Sequence, residues 1–455
     1  MVVGDVTTAV DLLVLGAGPA GYVAAIRAAQ LGRHVTLVEP GPLGGTCLHR
    51  GCIPLKALGS ASERYRQAQG EELAALGIHV ASVSCDWSRM QSWKQGVVTR
   101  LADGVSRLVA GNRIECVKGT GWFLNGQEVR VEGEETSHRF KFTDCIIAVG
   151  AHYAASEQAP FDGEHILTPE QALALPELPA ALTVLGDDYI ALELAALFAR
   201  LGVNVRLCTP GDQLLPDVDP VALRLVQAGL RKLGIETRSR VSLAALSARP
   251  IVISQTVRPR TAGLHLAEAG VEVDEDGHIV VNTMMQTNAP HIYAIGDCAG
   301  NTIRLASVAL KQGKVAAEVA CGTHVQFAPL VIPLVVHTTP ELATVGYSAQ
   351  TAAQAGYPVV TGRFPLAANG RALTLGAENG VALLVAHADS GTLLGATLVG
   401  PHAGDLIGQA ALAIEMGATL TDLAEILYAH PGLSETLQES AEQALERSVH
   451  ILAKP

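Results

Sequence analysis

The chain has 455 residues, 49% hydrophobic and 17% charged, with a formal net charge of −12. That length exceeds one ordinary core and predicts roughly two to four domains. The acidic balance excludes the basic footprint of a nucleic-acid binder.

The opening "MVVGDVTTAV" has no basic leader region, and the apolar run Leu12–Leu15 is too short for a signal core. No apolar run reaches the roughly 18 residues of a membrane-spanning helix. The expectation is a soluble, cytoplasmic protein without a membrane span.

Residues 11–39, "DLLVLGAGPAGYVAAIRAAQLGRHVTLVE", read as a strand Leu12–Leu15, then Gly16-x-Gly18-x-x-Gly21, a helix from about Tyr22 to Leu31, a stop at Gly32, a strand His34–Val38, and Glu39. This is a dinucleotide fingerprint in its full βαβ setting. Glycines let backbone approach a pyrophosphate, the helix N-terminus offers N–H groups, and the acid suits ribose hydroxyls.

Next comes "GGTCLHRGCIPLK", Gly44–Lys56. Of eight cysteines, only Cys47 and Cys52 lie close together. In a reducing compartment such a pair is catalytic or metal-binding rather than structural. A metal site ranks lower, because no further Cys/His pair lies nearby in sequence to complete four ligands; no metal is expected.

The stretch "ALTVLGDDYIALELAALFARLGVNVRLCT", 181–209, repeats the first unit without a gap. Leu12 falls on Leu182, Gly16 on Gly186, Gly21 on Ala191, Leu31 on Leu201, Gly32 on Gly202, Val35 on Val205 and Leu37 on Leu207. Gly18, however, becomes Asp188, and Glu39 becomes Thr209. A carboxylate about 4 Å from a phosphate charge costs roughly 4 kcal/mol at an effective dielectric of about 20, or about a thousandfold in affinity. Asp187 or Asp188 also makes a good helix cap. Two outcomes follow: impaired dinucleotide binding, or a rearranged loop that still binds.

Between Gly234 and Gly270 only Ile251–Ser254 reads as a clear strand. "EVDEDGHIVVNTMMQT", 272–287, predicts a hairpin turning at Glu275–Gly277. The strand Ile292–Ile295 ends in Gly296-Asp297, where an acid either meets a cofactor hydroxyl or caps the strand. From about 333 onward, strands, a hairpin and amphipathic helices give an α+β pattern. Near its end His430 precedes Pro431, with Glu435 following, and a carboxylate-held His suits a general base.

Together these motifs resemble the flavin-dependent pyridine nucleotide–disulfide oxidoreductases, and within them the dihydrolipoamide dehydrogenases. The likeness covers Gly16–Gly21 with Glu39, "GGTCLHRGCIPLK", "YAIGD" (293–297), "PELATVG" (340–346), "ANGRA" (368–372) and "AHPGLSE" (429–435). It implies an α/β protein with two doubly wound Rossmann-like domains, FAD- and NAD-type, and a C-terminal α+β dimerisation domain. The implied ranges are 1–150 for FAD and the redox disulfide, 151–268 for a degenerate, shortened NAD-type domain, 269–332 for the return to the central domain, and 333–455 for dimerisation.

The resemblance further implies that Gly16, Gly18, Gly21, Glu39, Gly45, Thr46, Lys56, Gly150 and Asp297 hold FAD. Cys47 would be the interchange thiol and Cys52 the thiol nearest the flavin. His430, oriented by Glu435, would act as base from the other subunit of a homodimer. Glu193 would pair with Lys56, and Tyr189 would gate a nicotinamide pocket. The substrate would be dihydrolipoamide or a lipoyl-bearing protein, and the family acceptor NAD. Departures from the family pattern fall at His49-Arg50, Leu55, Val149, Ser307 and His337, and most heavily at Asp188 and Thr209. The alternative is a flavin disulfide oxidoreductase with weakened NAD binding that passes electrons to a quinone or a protein partner. A non-catalytic subunit of a lipoyl complex is a third reading, opposed by the intact cysteine and His–Glu pairs.

Overall fold

Leu12, Leu13 and Val14 are fully buried, and their side chains alternate between two separate cores, as a strand covered on both faces requires. They belong to the central strand, Thr7–Leu15, of a computed structural model that describes residues 7–154, 160–246, 250–300 and 303–452. Residues 1–6, part of the stretch read for a leader, and 247–249 of the strand-poor region lie outside the described residues. The chain forms two units: 1–57, 89–160 and 256–328 in the first, and 58–88, 161–255 and 329–455 in the second.

In the first unit the sheet runs Glu115–Lys118, Val35–Glu39, Thr7–Leu15, Ser137–Ile147, Glu128–Glu132, Thr120–Asn125. The long Ser137–Ile147 strand is used twice. Its first half pairs antiparallel with Glu128–Glu132, and its second half takes Ile292–Ala294 in parallel. Leu12 and Val14 face the core formed with Ala24 and Ala28 of the helix Pro19–Gln30 and Val315 and Ala316 of the helix Ala306–Ala320. Leu13 and Leu15 face Phe123, Val129 and Phe140 of the meander. Each such fully buried Leu or Val contributes about 1.5–3 kcal/mol.

The second unit holds two sheets. One is parallel throughout, in the order Glu236–Arg238, Asn204–Cys208, Ala181–Leu185, Ile251–Ile253, Ile166–Leu167. Its helix Tyr189–Arg200 is apolar nearly all round and buried accordingly. The other sheet is antiparallel, in the order Leu334–Val336, Leu342–Gly346, Leu393–Val399, Val381–His387, Val359–Pro365. Ile407 and Ala410 of one helix and Leu437 and Ala441 of another close the core on it. The α/β class with two Rossmann-like sheets and a C-terminal α+β region is as expected.

Two local expectations need correction. Among the described residues the stretch after Gly234 yields three short strands rather than one: Glu236–Arg238, Ile251–Ile253 and Val257–Pro259. Three-residue strands are too short to show a period in sequence. The hairpin at 272–287 turns where expected but is short: Val273 bridges Ile279 antiparallel, with the Asp274 N–H on the His278 carbonyl and the Val280 N–H on the Glu272 carbonyl. The Asp274 carboxylate takes the Asp276 and His278 N–H groups, and Ile279 also bridges Ala299.

Candidate active site

The first βαβ copy leaves its phosphate seat open. The helix Pro19–Gln30 starts at Gly18, which supplies no side-chain cap, and a Cβ placed on Gly18 would meet nothing within 4 Å. Around that space the backbone is crowded. A Cβ on Gly21 would sit 1.8 Å from the Gly16 carbonyl oxygen, and one on Gly45 would sit 2.5 Å from the Gly18 Cα. Only glycine permits these approaches. The Glu39 carboxylate accepts the Ala17 N–H at 2.7 Å and the Gly41 N–H at 2.9 Å, fixing the loop from the end of the second strand. The Thr46 carbonyl receives the Arg50 and Gly51 N–H groups, and Gly150, at positive φ, ends the strand Ser137–Ile147 region.

Asp297 is mostly buried, and its pKa is raised by desolvation against the lowering influence of Arg304 and His278. Among the described residues its carboxylate has no hydrogen-bond donor. Such a group needs a partner, and a ligand hydroxyl would serve. Gln312, 1% exposed, accepts the Gly296 N–H at 2.8 Å and so holds the Asp297 turn. Sequence reading missed Gln312, which lies mid-helix with no local motif.

Cys47 and Cys52 are both thiols, on the helices Gly45–His49 and Cys52–Gln69. Arg50 and Gly51 between them form a bend closed by the Thr46 carbonyl, which brings the second helix's first residue back to the first. The Cys47 thiol hydrogen-bonds Cys52, and this contact, then burial and the charge of Cys52, push its pKa up; Lys56 opposes them. The positive end of the second helix favours negative charge on the Cys52 sulfur. Cys47, Cys52, Lys56 and Asp297 are thus one electrostatic group within the first unit.

The second copy reproduces the first bond for bond, then diverges. Gly16 N–H donates to the Val38 carbonyl and Gly186 N–H to the Cys208 carbonyl, both at 2.8 Å. The helices Pro19–Gln30 and Tyr189–Arg200 both have 12 residues. But the second begins with Asp188, whose carboxylate accepts the Ala191 N–H at 2.8 Å. Asp187 accepts from the Gln255 side chain at 3.1 Å. Thr209 is 2% exposed, and its hydroxyl is buried without a hydrogen-bond partner among the described residues. Tyr189 opens the helix, and Glu193, 3% exposed, accepts the His337 N–H at 3.0 Å.

Also in the second unit, His430 Nδ1 lies 2.8 Å from Glu435 Oε1, and the other Glu435 oxygen accepts the Gly432 N–H at 2.7 Å. The imidazole is 80% exposed and the carboxylate 21%. A neutral ring held this way donates from Nδ1 and presents the Nε2 lone pair outward. Asn369 of "ANGRA" donates to the Gly432 carbonyl at 3.0 Å, which links two motifs distant in sequence. A second pair, His450 Nδ1 and Glu439 Oε1, lies 2.6 Å apart, with Glu439 on the same helix as Glu435 and His450 beyond its C-terminal end. Sequence reading missed Asn369 and this pair; the signal for the latter was Glu439, one turn beyond Glu435. Among the described residues no group of three or more His, Cys, Asp or Glu could hold a metal ion, and no helix is long and apolar enough to cross a membrane.

Family models for the pyridine nucleotide-disulphide oxidoreductases match residues 10–313, and their dimerisation domain matches 332–441. The chain belongs to this family. Among curated relatives, the dihydrolipoyl dehydrogenase of Bacillus subtilis is 38% identical, covering 99% of this chain and 100% of that one. That of Thermus scotoductus is 41% identical, covering 97% and 99%. The fold matches LpdA of Mycobacterium tuberculosis with a TM-score of 0.89 at 24% identity, over 95% of this chain and 99% of that one. The family member described here is therefore a flavoprotein disulfide oxidoreductase of the dihydrolipoyl dehydrogenase type, and the family uses FAD and NAD. The first copy fits FAD through an uncapped helix N-terminus and close glycines, and the half-buried Asp297 of the same unit adds a carboxylate able to accept from a ligand hydroxyl.

Proposed function

We propose that the chain oxidises dihydrolipoyl groups, free or carried on a lipoyl-bearing protein, through Cys47 and Cys52. FAD would sit on Gly16, Gly18, Gly21, Glu39, Gly45, Thr46, Lys56, Gly150 and Asp297, and when bound it takes the two electrons of the Cys47/Cys52 dithiol. The observation that carries this reading is the Cys47–Cys52 contact at a helix start beside Lys56 and Asp297.

The chemistry balances on the chain's own residues. His430 of the partner subunit, held by Glu435, takes the proton of one substrate thiol. The thiolate attacks Cys47 of the oxidised pair, the Cys47–Cys52 bond breaks, and Cys52 leaves as a thiolate. The second substrate thiol displaces Cys47, so the substrate becomes a disulfide and the enzyme a dithiol. The site thereby requires a homodimer, and the matched dimerisation domain supports one. In the family the electrons then pass to NAD; a quinone or protein partner is the alternative exit. Anaerobic mixing of the FAD-loaded protein with dihydrolipoamide is expected to bleach the flavin, and Cys47→Ser to prevent it. An unaltered protein in which excess dihydrolipoamide leaves both the Cys47–Cys52 disulfide and the flavin oxidised contradicts the proposal.

A further inference from the structure

We infer that the second βαβ unit does not take a nicotinamide dinucleotide, because the protein's own Asp188 carboxylate occupies the seat the pyrophosphate needs. This rests on the flavin reading only for its setting; the nucleotide claim stands on the geometry of the second unit.

A dinucleotide binds this motif through backbone N–H groups at the helix start, aided by the helix dipole. In the first copy no side chain caps the helix start, and a Cβ on Gly18 would meet nothing within 4 Å. In the second, the Ala191 N–H is already bonded to Asp188 Oδ1 at 2.8 Å. A pyrophosphate would have to displace that bond and then lie against the displaced carboxylate. Asp187 adds a further carboxylate, tied in place by Gln255. The repulsion of one such carboxylate alone amounts to about a thousandfold in affinity.

The ribose end is altered as well. Glu39, at the end of the first copy's second strand, is a partly exposed carboxylate. Its counterpart Thr209 is buried and carries no charge to accept ribose hydroxyls. The Ser254 side chain packs against the first glycine: a Cβ on Gly186 would lie 1.9 Å from its hydroxyl oxygen. Arg206 offers no replacement contact, since its guanidinium is paired with Glu236 at 2.8 Å. The chain thus keeps the family's cysteine pair and first-copy glycines while the anion seat of its second nucleotide fold is filled from within.

The test is equilibrium binding of NADH to the full-length FAD-containing protein, by calorimetry, for the unaltered chain, Asp188→Gly and Asp188→Ser. The unaltered protein is expected to show no saturable binding in the micromolar range. Asp188→Gly is expected to tighten binding by about a hundredfold to a thousandfold. Asp188→Ser, which keeps a capping oxygen without the charge, should gain an intermediate amount and guards against a glycine variant that fails to fold. Micromolar NADH binding by the unaltered protein overturns the inference, as does a folded Asp188→Ser with unchanged affinity. Dihydrolipoamide bleaching is read separately on the same preparation, so loss of that activity counts against the proposed function and not against this inference.

Discussion

The two βαβ copies share the helix to the residue and the same bond closing the turn, and differ at the two positions where chemistry enters, Gly18/Asp188 and Glu39/Thr209. In the first, Gly18 leaves a helix N-terminus with no internal cap. In the second, Asp188 supplies the cap itself. A cap typically contributes about 1 kcal/mol to stability. An uncapped helix start is the cost of an anion site, and on the inference above the second copy holds the cap in place of the site. The lesson is that a nucleotide fold and a nucleotide site are separable.

The comparison breaks first, and most severely, at the cysteines attached to the first copy. Cys47→Ser is expected to slow flavin reduction by dihydrolipoamide by about a thousandfold or more, measured by anaerobic stopped-flow absorbance. An unchanged rate would return the chain to the non-catalytic reading.

Transplanting the second copy's carboxylate is the next largest perturbation. Gly18 has φ −66° and open space at its Cβ, so Gly18→Asp is sterically tolerated. It should cost about a thousandfold in FAD affinity and give a folded, colourless protein, scored by flavin absorbance and circular dichroism.

His430→Gln should lower the dihydrolipoamide rate by about a hundredfold or more and flatten its pH dependence. Because the pKa of Cys47 is raised, it is a thiol at neutral pH, and only the thiolate is alkylated. Iodoacetamide labelling of Cys47 in the reduced protein should therefore be at least about tenfold slower than for a model peptide thiol at pH 7. Its rate should keep climbing with pH above 9, without the plateau of an ordinary thiol. The smallest effect is on stability: Asp188→Ala should cost about 1 kcal/mol in urea unfolding through loss of the cap.

Much of this was legible in sequence because it is local. The glycine fingerprint, the repeat register, and Asp188 as an alternative cap all lie within a few residues of the groups they affect. The same holds for His430 and Glu435, joined across one short turn. What escaped depends on chain segments far apart. Asn369 reaches Gly432, Ser254 packs on Gly186, and Gln312 holds Gly296. The strands after Gly234 are too short to show a period. The hairpin turning at Glu275–Gly277 stays short because the Asp274 side chain takes the Asp276 and His278 N–H groups.

The difference between the copies is tested most directly by one anaerobic titration of the FAD-loaded protein with two reductants. Excess dihydrolipoamide should reduce the Cys47–Cys52 pair and then the flavin, while NADH at equal concentration should leave both oxidised. Rapid, stoichiometric bleaching by NADH would contradict the account, because it would place a working nucleotide on a helix that Asp188 already caps.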